Sequence, residues 1–285
     1  MFDYLMSWFD DPLNTLIFFL LAFPGRIIAL SVHEYAHAWM ANRCGDPTAK
    51  FMGRMTLNPL KHLDPLGTIM MILLGYGWAK PVPVNPRNFR NYRRDDLKVS
   101  LAGVTMNFLM FILGSILMYA VIALALVQVP LFTNMREAEG TVFRSLYEGM
   151  QCVFIAEADG ISYCPIIDLL IDAPYVGKWF IGNIFGSVAG YAYQMLSYFV
   201  LTNLILGIFN LLPVPPLDGY HVLNDLFLRR SNLFADPRTV RVTSGVMMLL
   251  VFTGALGRVL GWVDEQILSG VGNLAAAVFR AAGFI

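Results

Sequence analysis

Residues 99–128, VSLAGVTMNFLMFILGSILMYAVIALALVQ, contain no Asp, Glu, Lys or Arg. In hydrocarbon every backbone N–H and C=O must be satisfied without water, which leaves helices and closed barrels as the spanning structures. A helix needs about 20 apolar residues to cross. Residues 13–42 qualify as well, with Pro24 as a kink point, and so do residues 181–212 and 240–262. The composition agrees, at 57% hydrophobic and 14% charged residues, against about 45–50% and about 25% in soluble domains. The expected fold class is therefore an all-α polytopic membrane protein with about four transmembrane helices. The stretch 66–78, LGTIMMILLGYGW, is too short to cross and is bounded by DPLG and KPVPVNP. It reads as a re-entrant or interfacial segment. The tail 263–285 carries Asp264, Glu265 and Arg280 among small apolar residues and reads as an amphipathic helix lying on the membrane.

Lys and Arg concentrate in cytoplasmic loops. Segments 43–65, 79–98 and 215–241 hold four, six and four of them, whereas 129–180 holds three against seven acids. These counts agree on one topology. Residues 43–98 and 215–241 lie inside, and the N-terminus and an extracytoplasmic insert, 129–180, lie outside. The arrangement requires that 66–78 does not cross. The start, MFDYLMSWFDDP, lacks the basic residues of a secretory signal, so the N-terminus is expected to be retained. Net charge is zero, which argues against a nucleic-acid partner. Cys44 falls inside as a free thiol. Cys152 and Cys164 both fall in the outer insert, where a disulfide is permitted.

Within the first span stands HEYAH, residues 33–37. Positions i and i+4 of a helix share one face, so His33 and His37 can grip one metal ion, and Glu34 beside them can reach a water on that ion. Ionisable groups inside a membrane helix are costly and mark function by default. A catalytic zinc takes a third protein ligand. The remaining histidines are His62 and His221, and the carboxylates near the same face are Asp46, Asp64, Asp95, Asp96, Asp218 and Asp225. Asp218 stands out. Pro213, Pro215 and Pro216 before it cannot continue a helix, and Gly219 after it permits a tight turn. Asp218 is thus expected on a rigid, non-helical segment at membrane depth.

HEYAH, LNPLKHLDPLG, AKPVPVNPRNF and NLLPVPPLDG, taken together and in this order, resemble the site-2 protease family of intramembrane zinc metalloproteases. The resemblance is to the compact branch without a PDZ or CBS domain and covers residues 13–112 and 195–228. It implies a single membrane-embedded protease domain holding one Zn2+ through His33, His37 and Asp218, with Glu34 as catalytic base. It implies as substrate a single-pass membrane protein already trimmed outside, cut at a multi-pass protein of the cell membrane whose site faces the cytoplasm. One departure is AGVTMNF at 102–108, where the family often shows A-G-P-x-x-N-F: Val104 stands in place of the proline, while Gly103 and Asn107 remain. Asn107 fits either support of the substrate carbonyl or oxyanion or a helix–helix hydrogen bond beside Gly103.

His62, between Pro59 and Pro65, reads as structural support of the site, and Asn203 and Asn210 read as helix packing. KPVPVN fits an extended edge able to pair with an unwound substrate. Two rival functions remain open. A zinc carrier or scaffold has no need of Glu34, and a hydrolase of a lipid or other small amide would use the same metal site.

Overall fold

The computed structural model describes residues 2–135, 156–158, 161–163, 176–228 and 237–282. Helix α1 (Phe2–Asp10) leads into α2 (Pro12–Cys44). Asp11 caps α2 by accepting from the Asn14 N–H, Pro12 occupies the first turn, and Gly45 closes the C-terminal end at φ 109°. Asp11 and Gly45 satisfy backbone groups that a helix end leaves unpaired, and Pro12 has no N–H to leave unpaired there. The helix continues through Pro24. A short α3 (Thr48–Phe51) follows, then α4 (Pro65–Leu74), capped by Asp64 and ended by Gly75 at φ 72°.

At 1.5 Å per residue α4 is about 15 Å long, half the roughly 30 Å hydrocarbon core. Its two ends are also tied together. Leu63 and Ala79 form an antiparallel bridge, and the Lys80 N–H donates to the His62 carbonyl at 2.7 Å. The chain therefore returns to where it entered, and the basic loops before and after 66–78 lie on the same side of this segment.

The later helices are α5 (Tyr92–Met135), α6 (Val176–Phe185), α7 (Ser187–Asn210), α8 (Asp218–Leu223), α9 (Pro237–Phe252) and α10 (Ala255–Ala281). Two three-residue strands, β1 (Ala156–Ala158) and β2 (Ile161–Tyr163), pair antiparallel in the insert. Among the described residues, α2, Tyr92–Ala125 of α5, and α7 are long and apolar enough to cross a membrane, and the bent pair α9–α10 counts as a fourth span if taken as one. Cys152 and Cys164 lie outside the described residues.

Several boundaries differ from the sequence expectation. The span expected at 181–212 is divided at Gly186, φ 93°, so that α7 alone is the long helix. The span expected at 240–262 turns at Thr253–Gly254, where Gly254 has φ 73°. The tail expected from 263 is the continuation of α10, which starts at Ala255. Hydropathy has no term for a single left-handed residue, so it misses these breaks.

The chain forms two compact units, Met1–Ile112 with Phe199–Gly261, and Leu113–Tyr198 with Trp262–Ile285. In the first, α2 and α7 approach at backbone distance, since a Cβ on Gly25 would lie 2.9 Å from the Phe199 Cα. Ala41, Cys44, Phe89 and Val99 form a buried cluster there, with Cys44 a free thiol. In the second, the Tyr119 and Phe279 rings meet edge to face at 6.0 Å.

Candidate metal centre

His33 and His37 share one face of α2 and are buried. Their Nε2 atoms lie 2.9 Å apart, and Asp218 Oδ2 lies 3.3 Å from the first and 3.2 Å from the second. Among the described residues these three form the one group of His, Cys, Asp or Glu side chains close enough to hold a metal ion.

The hydrogen bonds behind the rings decide where the protons sit. His37 Nδ1 lies 2.8 Å from the Val99 carbonyl, which only accepts, so Nδ1 carries the hydrogen. A longer chain sets His33. The Phe199 carbonyl accepts from Asn203 Nδ2 at 2.9 Å, which turns Asn203 Oδ1 towards Asn107 Nδ2, also at 2.9 Å. Asn107 Oδ1 is then left facing His33 Nδ1 at 2.6 Å, and the ring must donate. Both Nε2 atoms are thereby left as bare lone pairs, aimed at each other and at a carboxylate oxygen that is itself buried and without a hydrogen-bond partner among the described residues. Three converging acceptors repel unless a cation lies among them. A tetrahedral zinc at 2.0–2.1 Å from nitrogen or oxygen spaces its donors by about 3.3 Å; both Asp218 separations, 3.3 and 3.2 Å, match that value, and the two Nε2 atoms stand closer, at 2.9 Å. The donor set fits zinc.

The close approach of the rings depends on Gly103. A Cβ there would lie 2.4 Å from His37 Nε2 and 2.6 Å from His33 Cε1. The missing side chain makes room for the imidazoles, a use more specific than helix packing.

Asp218 is the first residue of α8 and does not lie on a non-helical segment as expected. The prolines end α7 and hold the turn, and α8 starts immediately after it. Gly219 has no positive φ. Its need for glycine comes from crowding, since a Cβ would meet the Leu211 carbonyl at 2.2 Å. From α5, His221 Nδ1 contacts Asp96 Oδ2 at 3.0 Å, and Arg93 donates to the carbonyls of Asp225 and Leu226. From α9, the Ser244 hydroxyl donates to the Pro215 carbonyl at 3.3 Å. The position of Asp218 is held from both sides.

Glu34 is buried next to the group, and its Oε2 accepts the Val82 N–H at 2.8 Å. Val82 belongs to the extended run after the Leu63–Ala79 bridge. Arg54 Nη2 donates to the Lys80 carbonyl at 2.7 Å, and Pro81 and Pro83 flank the donor. Further along, Asp46 is fully buried and accepts the Asn85 N–H at 2.7 Å and the Asn88 side-chain amide at 2.8 Å. Burial alone would raise the Asp46 pKa. The hydrogen bonds from Thr48, Asn85 and Asn88 outweigh it and hold the carboxyl below the ordinary range.

The structure thus brings together His33, Glu34, His37 and Asp218. Asn107 is fully buried behind His33, where its amide donates to Asn203 and, at 3.4 Å, to the Ala29 carbonyl. That position supports a ligand and leaves no donor for an oxyanion. His62 stands apart from the three. Its Nε2 bonds the Thr56 carbonyl at 2.7 Å and its backbone holds Lys80. Sequence reasoning missed Asn203, the Val99 carbonyl and the Val82 N–H. Asn203 carries the same signal as Asn107, an amide in an apolar helix. The two backbone groups carry none.

The model of Peptidase family M50 matches residues 18–254, and the chain belongs to that family, the site-2 protease family. It is a zinc metalloprotease and a multi-pass membrane protein. The chain is 30% identical over 236 residues to a Bacillus subtilis (strain 168) protein named zinc metalloprotease YwhC, covering 83% of this chain and 81% of that one. It is 32% identical over 107 residues to one named zinc metalloprotease Rip2 of Mycolicibacterium smegmatis (strain ATCC 700084 / mc(2)155), covering 36% and 41%. No solved structure matches.

Proposed function

We propose that the chain is one membrane-embedded protease domain that hydrolyses a peptide bond of a single-pass membrane protein within or at the edge of the bilayer. Its site faces the cytoplasm of a cell-membrane protein. The observation that carries the reading is the convergence of two deprotonated Nε2 atoms and the Asp218 carboxylate beside Glu34. The Lys and Arg distribution supports the orientation.

His33, His37 and Asp218 hold the metal. Bound zinc supplies Lewis-acid polarisation of a carbonyl and acidifies a water molecule. Glu34 takes the proton of the attacking water and returns it to the leaving amine. The Val82 N–H fixes one oxygen of Glu34, which leaves the other to face that water. Asn107 and the Val99 carbonyl keep the ring protons on the far side of each ligand, the usual task of groups behind a metal-bound histidine. A substrate helix hides its carbonyls in its own hydrogen bonds, so the cleaved segment unwinds first, and Gly, Pro or Asn near the cleavage point assists.

The test is zinc content and cleavage of a model transmembrane peptide by purified protein in detergent. Glu34→Gln is expected to keep zinc and lose cleavage, and Asp218→Ala to lose both. Cleavage unchanged in Glu34→Gln overturns the catalytic assignment.

A further inference from the structure

Residues 50–61, KFMGRMTLNPLK, lead from α3 to the base of α4. Four of their large apolar side chains stand outward: Phe51, Met52, Leu57 and Leu60 are 82, 62, 58 and 75% exposed. Apolar surface concentrated in this way marks contact with a membrane or another protein. The backbone that carries it is tied down. Arg54 Nη2 donates to the Lys80 carbonyl at 2.7 Å, His62 Nε2 lies 2.7 Å from the Thr56 carbonyl, and the Asn58 side chain accepts the Leu60 N–H at 3.1 Å. The apolar side chains are therefore presented from fixed positions.

The placement of the segment points to lipid. Both α3 and the single turn Pro59–Lys61 pack against α2, one of the spans. Two residues beyond that turn, Leu63 forms the bridge with Ala79 that closes the base of α4. A segment folded against a membrane helix and leading into a re-entrant one lies at the level of the membrane surface. The charges agree. Between Asp46 and Asp64 the sequence holds Lys50, Arg54 and Lys61 and no acid. Asp46 and Arg54 are buried, and Asp64 is engaged by the Gly67 N–H at 2.8 Å. The exposed charges of 50–61 are thus two lysines, one at each end of the apolar stretch. Lysine stems lie along apolar surface while their ammonium groups reach the headgroups, and a basic rim around apolar side chains suits an anionic bilayer surface.

We propose that residues 50–61 are seated in the cytoplasmic leaflet, with Phe51, Met52, Leu57 and Leu60 at the boundary between headgroups and acyl chains and Lys50 and Lys61 on anionic lipid headgroups, and that this contact steadies the run that holds Glu34. The path to Glu34 is short. Arg54 holds the Lys80 carbonyl, the His62 carbonyl accepts the Lys80 N–H at 2.7 Å, and two residues on the Val82 N–H donates to Glu34. The seating rests on the topology proposed above, and the link to Glu34 rests on the protease reading.

The test uses the full chain in vesicles of phosphatidylcholine, with and without phosphatidylglycerol, and a fluorescent amino acid in place of Phe51 or Leu60. Lipid carrying a nitroxide on its acyl chain is expected to quench the label, more strongly with phosphatidylglycerol, and acrylamide in the water is expected to leave it bright. Lys50→Glu combined with Lys61→Glu abolishes the dependence on phosphatidylglycerol. Quenching by acrylamide and not by the lipid overturns the proposal. Protection from both quenchers overturns it in favour of a protein contact. Equal lipid quenching in the two kinds of vesicle overturns the role of the lysines. The second readout is turnover. Phe51→Ser combined with Leu60→Ser is expected to keep zinc and to lower kcat on a model transmembrane peptide about tenfold in vesicles. An unchanged kcat overturns the link to Glu34. Lipid quenching in a wild-type protein that cleaves no peptide keeps the membrane contact and discards the protease reading.

Discussion

His33 Nδ1 on α2 lies 2.6 Å from Asn107 Oδ1 on α5, and the orientation of that amide is set by Asn203 on α7. Three long helices thus share the task of aiming one imidazole. Asn107→Leu is expected to lower zinc affinity by about 10- to 100-fold, the range for loss of a group behind a metal ligand, with the helices retained. Zinc competition against a fluorescent chelator measures it. Asn203→Leu should have a smaller effect in the same direction, because Asn107 keeps its contact with the Ala29 carbonyl.

Gly103→Ala adds one methyl group where a Cβ would stand 2.4 Å from His37 Nε2. The imidazole cannot give way without leaving the group of three. The variant is expected to purify folded and without zinc. Stoichiometric zinc in Gly103→Ala would show that the rings have another arrangement.

The Val82 N–H is a donor that only proline removes. Val82 already lies between Pro81 and Pro83, so Val82→Pro suits the extended backbone. It is expected to lower kcat between about 10- and 100-fold through misplacement of Glu34, with KM and zinc content unchanged. Val82→Ala keeps the N–H and should retain activity. Equal activity of the two variants would exclude a role for this hydrogen bond.

Asp46 ties the turn after α2 to Asn85 and Asn88. Its pKa lies below the ordinary 3.8. A carboxyl depressed in the folded state stabilises above its unfolded pKa, and the benefit is lost as pH falls through the folded one. Asp46→Ala is expected to cost about 1–3 kcal/mol at neutral pH. The gap to wild type in thermal unfolding should hold down to pH 3.8 and close below it.

The spans at 13–42 and 99–128 were readable because membrane insertion depends on the summed hydropathy of about 20 neighbours along one helix, which is a local property. HEYAH was readable for the same reason, since four residues make one turn and place His33 and His37 on one face. The brevity of 66–78 was likewise plain in the sequence. The bridge that returns Ala79 to Leu63 was not. Nor were the breaks at Gly186 and Gly254, each of which depends on a single positive φ.

The sequence by itself determined a polytopic helical chain with a metal-binding pair on its first long helix, and it singled out Asp218 among six carboxylates. Only the tertiary structure decided that Asp218 opens a helix, that Gly103 makes room for two imidazoles, that Asn107 faces a ligand, and that a proline-flanked amide holds Glu34. Those contacts join residues 48 to 185 positions apart in the chain. A backbone N–H, a backbone carbonyl and the absence of a Cβ leave almost no mark on residue type, so they become visible only when distant segments are in contact.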